Sequence, residues 1–178
     1  LVGGFLDLGL PLDFLQEQLE KLNLEGWEIS QKSVDKLGVS AIQFEVSYEE
    51  QHHHRHLTDI LEILGKSKLS PKAKSIAEDL FQSLGRAESS VHQVPIEEVH
   101  FHEVGAVDTI IDIVSIAVAM EYFEIESVTA STIVEGVGKV RFSHGECDLP
   151  VPAVRVLLGD IPLQRIPVSS ELVTPTGA

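Results

Sequence analysis

Cysteine is almost absent from this 178-residue sequence. Cys147 stands alone, so no internal disulfide can form, and a reducing compartment such as the cytoplasm is the expectation. Basic residues are scarce as well: 13 Lys and Arg stand against 28 Asp and Glu, a formal charge of −15 with His neutral. That deficit argues against nucleic acid as a partner, because sequence-independent binding needs a basic face that displaces counterions. It also opposes an anionic membrane surface and would draw cations instead. Long apolar runs are missing too. The most apolar stretch, Ile110 to Met120, is too short to span a bilayer and carries Asp112. What is present suffices for a core: 43% of residues are hydrophobic, and a chain of this size buries about 70% of its extended surface.

Helix and strand signals alternate irregularly along the chain. Leu12, Leu15, Leu19 and Leu22 recur at helical spacing. Trp27 to Lys36 and Val39 to Tyr48 read as strands about a turn at Leu37-Gly38. A short helix is expected over Leu57 to Leu64. A longer one is expected from Ser70-Pro71 to Leu84, with Gly85 as its stop and residues 86–94 as loop. The segment 103–123 is apolar on most sides, which marks a buried central helix. Val128 to Glu135 and Lys139 to Phe142 read as a hairpin about Gly136-Val137-Gly138, and Pro150 and Pro152 introduce a short helix to Leu158. The expected fold is α/β, with mixed α+β as the alternative: helices layered on a mixed sheet.

Histidine is the residue type in excess. His52, His53, His54 and His56 fall within five positions, just ahead of the helix at Leu57. Imidazole nitrogen suits nickel, zinc, copper or iron, and His52 and His56 at helical spacing would stand one turn apart. A solvated polar loop is the plain alternative. His100-Phe101-His102-Glu103 precedes the apolar helix, and two histidines flanking one residue of a strand point the same way. Asp108 and Asp112 follow, one turn apart on that helix. A carboxylate on an apolar helix is costly to bury without a partner. A divalent ion held by His100, His102, Asp108 and Asp112 would supply one, and a merely wet helix edge would account for the same residues.

Glu135 to Lys139 only faintly resembles a phosphate loop, since Val140 stands where Ser or Thr is needed. His144, in Ser143-His144-Gly145, is a candidate acid or base, together with His102 and Glu103. At the end of the chain, the hydroxyls, amides and carboxylate of Ser170, Glu171, Thr174, Thr176 and Gly177 suit phosphate oxygens, or form an ordinary polar turn. The sequence opens on apolar residues and closes inside Thr174-Pro175-Thr176-Gly177-Ala178, so a piece of a longer protein is expected.

The order of these pieces is more specific than any one of them. LGLP at Leu8–Pro11, HHHRHLTDI at His52–Ile60 and LSPKAKSIAEDLF at Leu69–Phe81 come first. EEVHFHEVGAVDTIIDIV at Glu97–Val114, GVGKVRFSHGECDLPVPA at Gly136–Ala153 and ELVTPTGA at Glu171–Ala178 follow. The series resembles the N-terminal part of the LarC family of nickel-insertion proteins, over essentially the whole chain. Glu146-Cys147-Asp148-Leu149 departs from the pattern, being longer and more acidic than the usual link. The resemblance implies insertion of nickel into pyridinium-3,5-bisthiocarboxylic acid mononucleotide, giving the nickel-pincer cofactor of lactate racemase. It implies hydrolysis of CTP to CMP and pyrophosphate, with CTP and a divalent metal (Mn or Mg) held by a C-terminal domain outside this sequence. On that reading the activity is a nickel chelatase of the lyase class, incomplete in residues 1–178 alone, and association into a homo-oligomer is left open.

Competing classes share some of these features. A non-catalytic carrier of nickel or another divalent metal would use the same histidines without consuming nucleotide. A metal-dependent phosphate-ester hydrolase would hold its ion tightly at the His100–Asp112 cluster, and a scaffold would use its acidic face for solubility alone.

Overall fold

The computed structural model describes residues 1–48, 55–101, 107–142 and 145–178, with Phe142 described by its backbone alone. Two short helices open the chain, α1 (Val2–Asp7) and α2 (Leu12–Glu20). The i, i+4 pair Leu15 and Leu19 of α2 is fully buried, as the leucine spacing requires. Strands β1 (Trp27–Lys36) and β2 (Val39–Tyr48) then pair antiparallel along their whole length, from Trp27↔Tyr48 to Lys36↔Val39. Leu37 and Gly38 both adopt positive φ, 57° and 82°. A two-residue turn of that kind matches the right-handed twist of the strands, and Asp35 Oδ1 accepts the Gly38 N–H at 2.9 Å. Ile42, Phe44, Val46 and Tyr48 turn one face of the hairpin onto the main core. Helix α1 lies so close to β2 that a Cβ on Gly3 would stand 2.2 Å from the Ile42 carbonyl oxygen.

The centre is built from β3 (Arg55–His56), α3 (Leu57–Lys66), α4 (Pro71–His92), β4 (His100–Phe101) and α5 (Val107–Tyr122). Ser70 caps α4: its Oγ accepts the Ala73 N–H at 3.0 Å and donates to Glu121 Oε2 at 2.5 Å, tying the start of α4 to the end of α5. Gly85 does not stop α4. It lies inside the helix where a Cβ would meet Leu57 Cδ2 at 2.6 Å, so it is there for close packing against α3. The helix ends at Gln93, in left-handed conformation at φ 55°, and residues 86–92, expected as loop, are its last turns. Helix α5 is the buried centre: Ile110, Ile111, Val114, Ala117 and Ala119 are wholly covered.

The last part contains β5 (Ile133–Glu135), β6 (Lys139–Phe142), β7 (Gly145–Asp148), α6 (Pro152–Leu158) and β8 (Leu163–Arg165). The hairpin expected between β5 and β6 is not formed. Instead β5 pairs in parallel with β8, and β6 pairs antiparallel with β7. The physical reason lies in the glycines. Gly136 is enclosed by the Val168 and Ser170 carbonyls, and Gly138 at φ 104° turns the chain away. Leu149, Val151, Val154 and Leu158 form a second, smaller core there. The mixed α/β class and the buried central helix both hold. The strands, however, form four two-stranded units among the described residues. No described helix is long and apolar enough to cross a membrane.

Candidate functional site

The two histidine motifs meet. Strands β3 and β4 pair antiparallel with Arg55 opposite Phe101 and His56 opposite His100. The His56 and His100 rings lie 3.9 Å apart between centroids, their planes inclined at 45°. His56 is fixed by its backbone, whose N–H donates to Asp59 Oδ2 at 2.8 Å in the first turn of α3. Its ring Nδ1 is buried and has no hydrogen-bond partner among the described residues. His52, His53, His54, His102, Glu103 and His144 lie outside the described residues. Among those that are described, no three His, Cys, Asp or Glu side chains group as a closed metal site. Two imidazoles alone form an open donor set, with coordination positions left for other ligands.

A cavity of about 400 Å³ gathers a different set of residues. Its wall is drawn from residues 1–4, from Ile42 and Phe44 of β2, from Asp112, Ile113 and Ile116 of α5, and from Thr174, Thr176 and Gly177. Ile113 and Ile116 continue the apolar face of α5, while Asp112 breaks it. The Asp112 side chain reaches solvent at the cavity mouth. Burial by its surroundings nevertheless pushes its carboxyl above the ordinary value of 3.8, the Asp108 charge adds to this, and the Leu1 amino group opposes it. Asp108 belongs to the helix start, where its Oδ1 accepts the Thr109 N–H at 2.8 Å.

Thr174 and Thr176 face one another, their Oγ1 atoms 3.2 Å apart, and the Gly177 N–H donates to the Thr174 carbonyl at 3.0 Å. The terminal motif and Asp112 of α5 are therefore joined at one cavity with residues 1–4. Ser170 and Glu171 stand upstream of the wall, on the segment that wraps Gly136. Cys147 packs beside the small core, and burial pushes its thiol up against the opposing Arg155 charge, so it is a poor source of thiolate.

The sequence reading assigns no role to three contributors. Gly3 and Gly4 form part of the cavity wall but carry no side-chain signal. Glu135 has one: an acidic residue ends the apolar strand just ahead of the glycine turn. In the structure it is completely buried, and its Oε1 accepts the N–H groups of Gly136 and Leu172, both at 2.7 Å.

Comparison with known proteins places this sequence. A protein of Desulfitobacterium hafniense named pyridinium-3,5-bisthiocarboxylic acid mononucleotide nickel insertion protein is 43% identical over 178 residues, which cover 100% of this chain and 44% of that one. Proteins of the same name from Staphylococcus saprophyticus and Geobacillus kaustophilus are 38% and 37% identical, each covering 100% of this chain and 46% of their own length. The chain thus spans less than half the length of these relatives. No solved structure matches it. The family described as "Nickel insertion protein" matches residues 1–178 without remainder, and the chain belongs to that family.

Proposed function

We propose that residues 1–178 form the part of a nickel insertion protein that brings the metal and pyridinium-3,5-bisthiocarboxylic acid mononucleotide together. The product would be the nickel-pincer cofactor of lactate racemase. The observation that carries this reading is the cavity whose wall holds Asp112 together with Thr174 and Thr176. Hydroxyls and backbone amides at the Thr174–Gly177 turn suit the phosphate and sugar of a mononucleotide. The apolar floor from Ile42, Phe44, Ile113 and Ile116 suits the faces of a pyridinium ring.

Nickel is the cargo. His56 and His100 would capture it, helped by His52, His53, His54 and His102. Asp112, with Asp108 behind it, would offer oxygen donors at the ring. Two imidazoles release an ion more readily than a four-ligand cage does, which suits transfer. Insertion replaces a ring C–H with a carbon–nickel bond, so one proton must leave for each nickel inserted. A base within hydrogen-bond reach takes it, and His102, Glu103 and His144 are the proposed candidates.

We do not assign CTP and its Mn or Mg to this cavity. Among the described residues the cavity wall carries no Lys or Arg to meet a triphosphate, and no three ligating side chains converge. We assign the nucleotide to the other half of the longer protein, and with it the nickel chelatase turnover of the lyase class. The setting proposed is the cytoplasm, where a lone thiol stays reduced.

The test combines the chain with nickel and the mononucleotide, with and without CTP and the remaining half. Binding of both ligands by the chain, and nickel–sulfur absorbance only in the complete mixture, are expected. His100→Ala combined with His102→Ala should abolish insertion while the fold persists. Full turnover by that variant, or no mononucleotide binding by the chain, would reject the reading.

A further inference from the structure

Glu135 is a buried acid that no step above uses. It is completely enclosed at the end of β5, and no Lys, Arg or His forms an ion pair with it among the described residues. Its register partner on β8, Arg165, is directed elsewhere, donating from Nη2 to the Leu149 carbonyl at 2.5 Å. An enclosed carboxylate without a cation is an expensive group to keep. What it does hold is backbone. Oε1 accepts from Gly136 N–H and, across 37 residues of chain, from Leu172 N–H. Oε2 is buried with no hydrogen-bond partner among the described residues.

The segment it holds is a strap. The Ile166 N–H donates to the Glu135 carbonyl at 3.0 Å, and the Val137 N–H donates to the Val168 carbonyl at 2.8 Å. A Cβ on Gly136 would stand 2.0 Å from the Ser170 carbonyl oxygen and 2.5 Å from that of Val168, so the strap lies directly on the glycine turn. Beyond Leu172, Val173 alone leads to Thr174 on the cavity wall. Leu172 itself is 46% exposed, so here the strap is held by its amide and by Val173, which packs on the small core.

We propose that Glu135 is the positioning residue of the substrate cavity: its Oε1 pins the Leu172 amide and thereby sets Thr174 and Thr176 against Asp112. This rests on the reading of the cavity as the mononucleotide site. The role requires an acceptor oxygen at Oε1, not a charge. Glu135→Gln keeps that oxygen and Glu135→Ala removes it. Gly136→Ala leaves the carboxylate intact and displaces the strap sterically.

The experiment measures two things on the 178-residue chain and its variants. One is affinity for nicotinic acid mononucleotide, a pyridinium mononucleotide, by calorimetry. The other is amide hydrogen exchange over residues 166–176 in the ligand-free protein. Glu135→Ala and Gly136→Ala should each weaken binding at least tenfold and speed exchange in the strap well beyond any change in α4 and α5. Glu135→Gln should bind within threefold of wild type. Should Glu135→Ala not fold, the contrast between Glu135→Gln and Gly136→Ala decides by the same criteria. A Glu135→Gln variant as impaired as Gly136→Ala overturns the proposal, as does a strap in Glu135→Ala that stays as protected as in wild type. If wild type binds no mononucleotide, the cavity reading falls, and strap exchange alone then decides whether Glu135 sets the strap.

Discussion

Replacing Asp112 with Asn should make the protein more stable and leave it unable to insert nickel. The two effects have one cause. Burial and the Asp108 charge, one helical turn away, both raise the Asp112 carboxyl above 3.8, and the Leu1 amino group only partly offsets them. Its ionised form is therefore disfavoured in the folded state. A like-charge pair at i, i+4 costs about 0.2–0.5 kcal/mol. The burial contribution is larger in order, but the side chain still reaches solvent at the cavity mouth, so screening holds the total below about 1 kcal/mol. For a chain of this size 1 kcal/mol moves Tm by roughly 2–4 °C. Asp112→Asn should thus melt about 1–4 °C higher at pH 7.

The sign of the pH dependence follows. The folded-state carboxyl titrates above the unfolded one, so the folded protein binds more protons between the two values. Wild type then gains stability relative to Asp112→Asn as pH falls through the raised folded value toward the unfolded one, and the Asn advantage disappears at the acid end. The assay is thermal unfolding of both proteins across that range, beside nickel insertion by the complete system. An Asn variant less stable than wild type at pH 7 would refute the reasoning, because it would mean that the carboxylate has a stabilising partner.

Two glycines should respond very differently to alanine in chemical denaturation. Gly136→Ala drives a Cβ into backbone oxygens at 2.0 and 2.5 Å and should cost several kcal/mol, whereas Gly85→Ala meets the end of the Leu57 side chain and gains helix propensity of about 1 kcal/mol, so the net change should be small. Gln93→Gly should raise stability by roughly 0.5–1 kcal/mol, because Gln93 caps α4 at φ 55° where glycine is unstrained; the same denaturation curves measure it. His56→Ala should weaken nickel binding at least tenfold in equilibrium dialysis, and binding by wild type should fall in acid, since a protonated imidazole offers no lone pair.

The elements legible in the sequence are those whose signals are local. The β1–β2 hairpin is one, because alternation through Ile42, Phe44, Val46 and Tyr48 and the Leu37-Gly38 turn act over neighbouring residues. The apolar continuity of α5 and the Ser-Pro start of α4 are others. The misreadings concern glycines. Gly85 and Gly136 are chosen for what passes close to them, Leu57 in one case and the Val168–Ser170 backbone in the other. A sequence shows the missing side chain and not the neighbour that requires it. The site divides similarly. His56 and His100 stand out by residue type, and the structure brings their rings together. The joining of Thr174 and Thr176 to Asp112 depends on a strap held by Glu135, a long-range contact with no periodicity to announce it.

The cavity also bears on how the whole chain unfolds. Its wall takes α1, β2 and α5 from the main core and the Thr174–Gly177 turn from beyond the strap, which Glu135 holds beside the small core. A mononucleotide seated there would touch both units, and it would be lost if either one melted. At a ligand concentration of 100 Kd the linkage amounts to about 2.7 kcal/mol, or roughly 5–10 °C in Tm for a chain of this length. The added stability should be shared, so that calorimetry with nicotinic acid mononucleotide shows one transition at the higher temperature. A ligand that shifts the main core and leaves a separate transition for residues 133–178 where it was would place binding on one side only. In that case Thr174 and Thr176 would be bystanders at the wall.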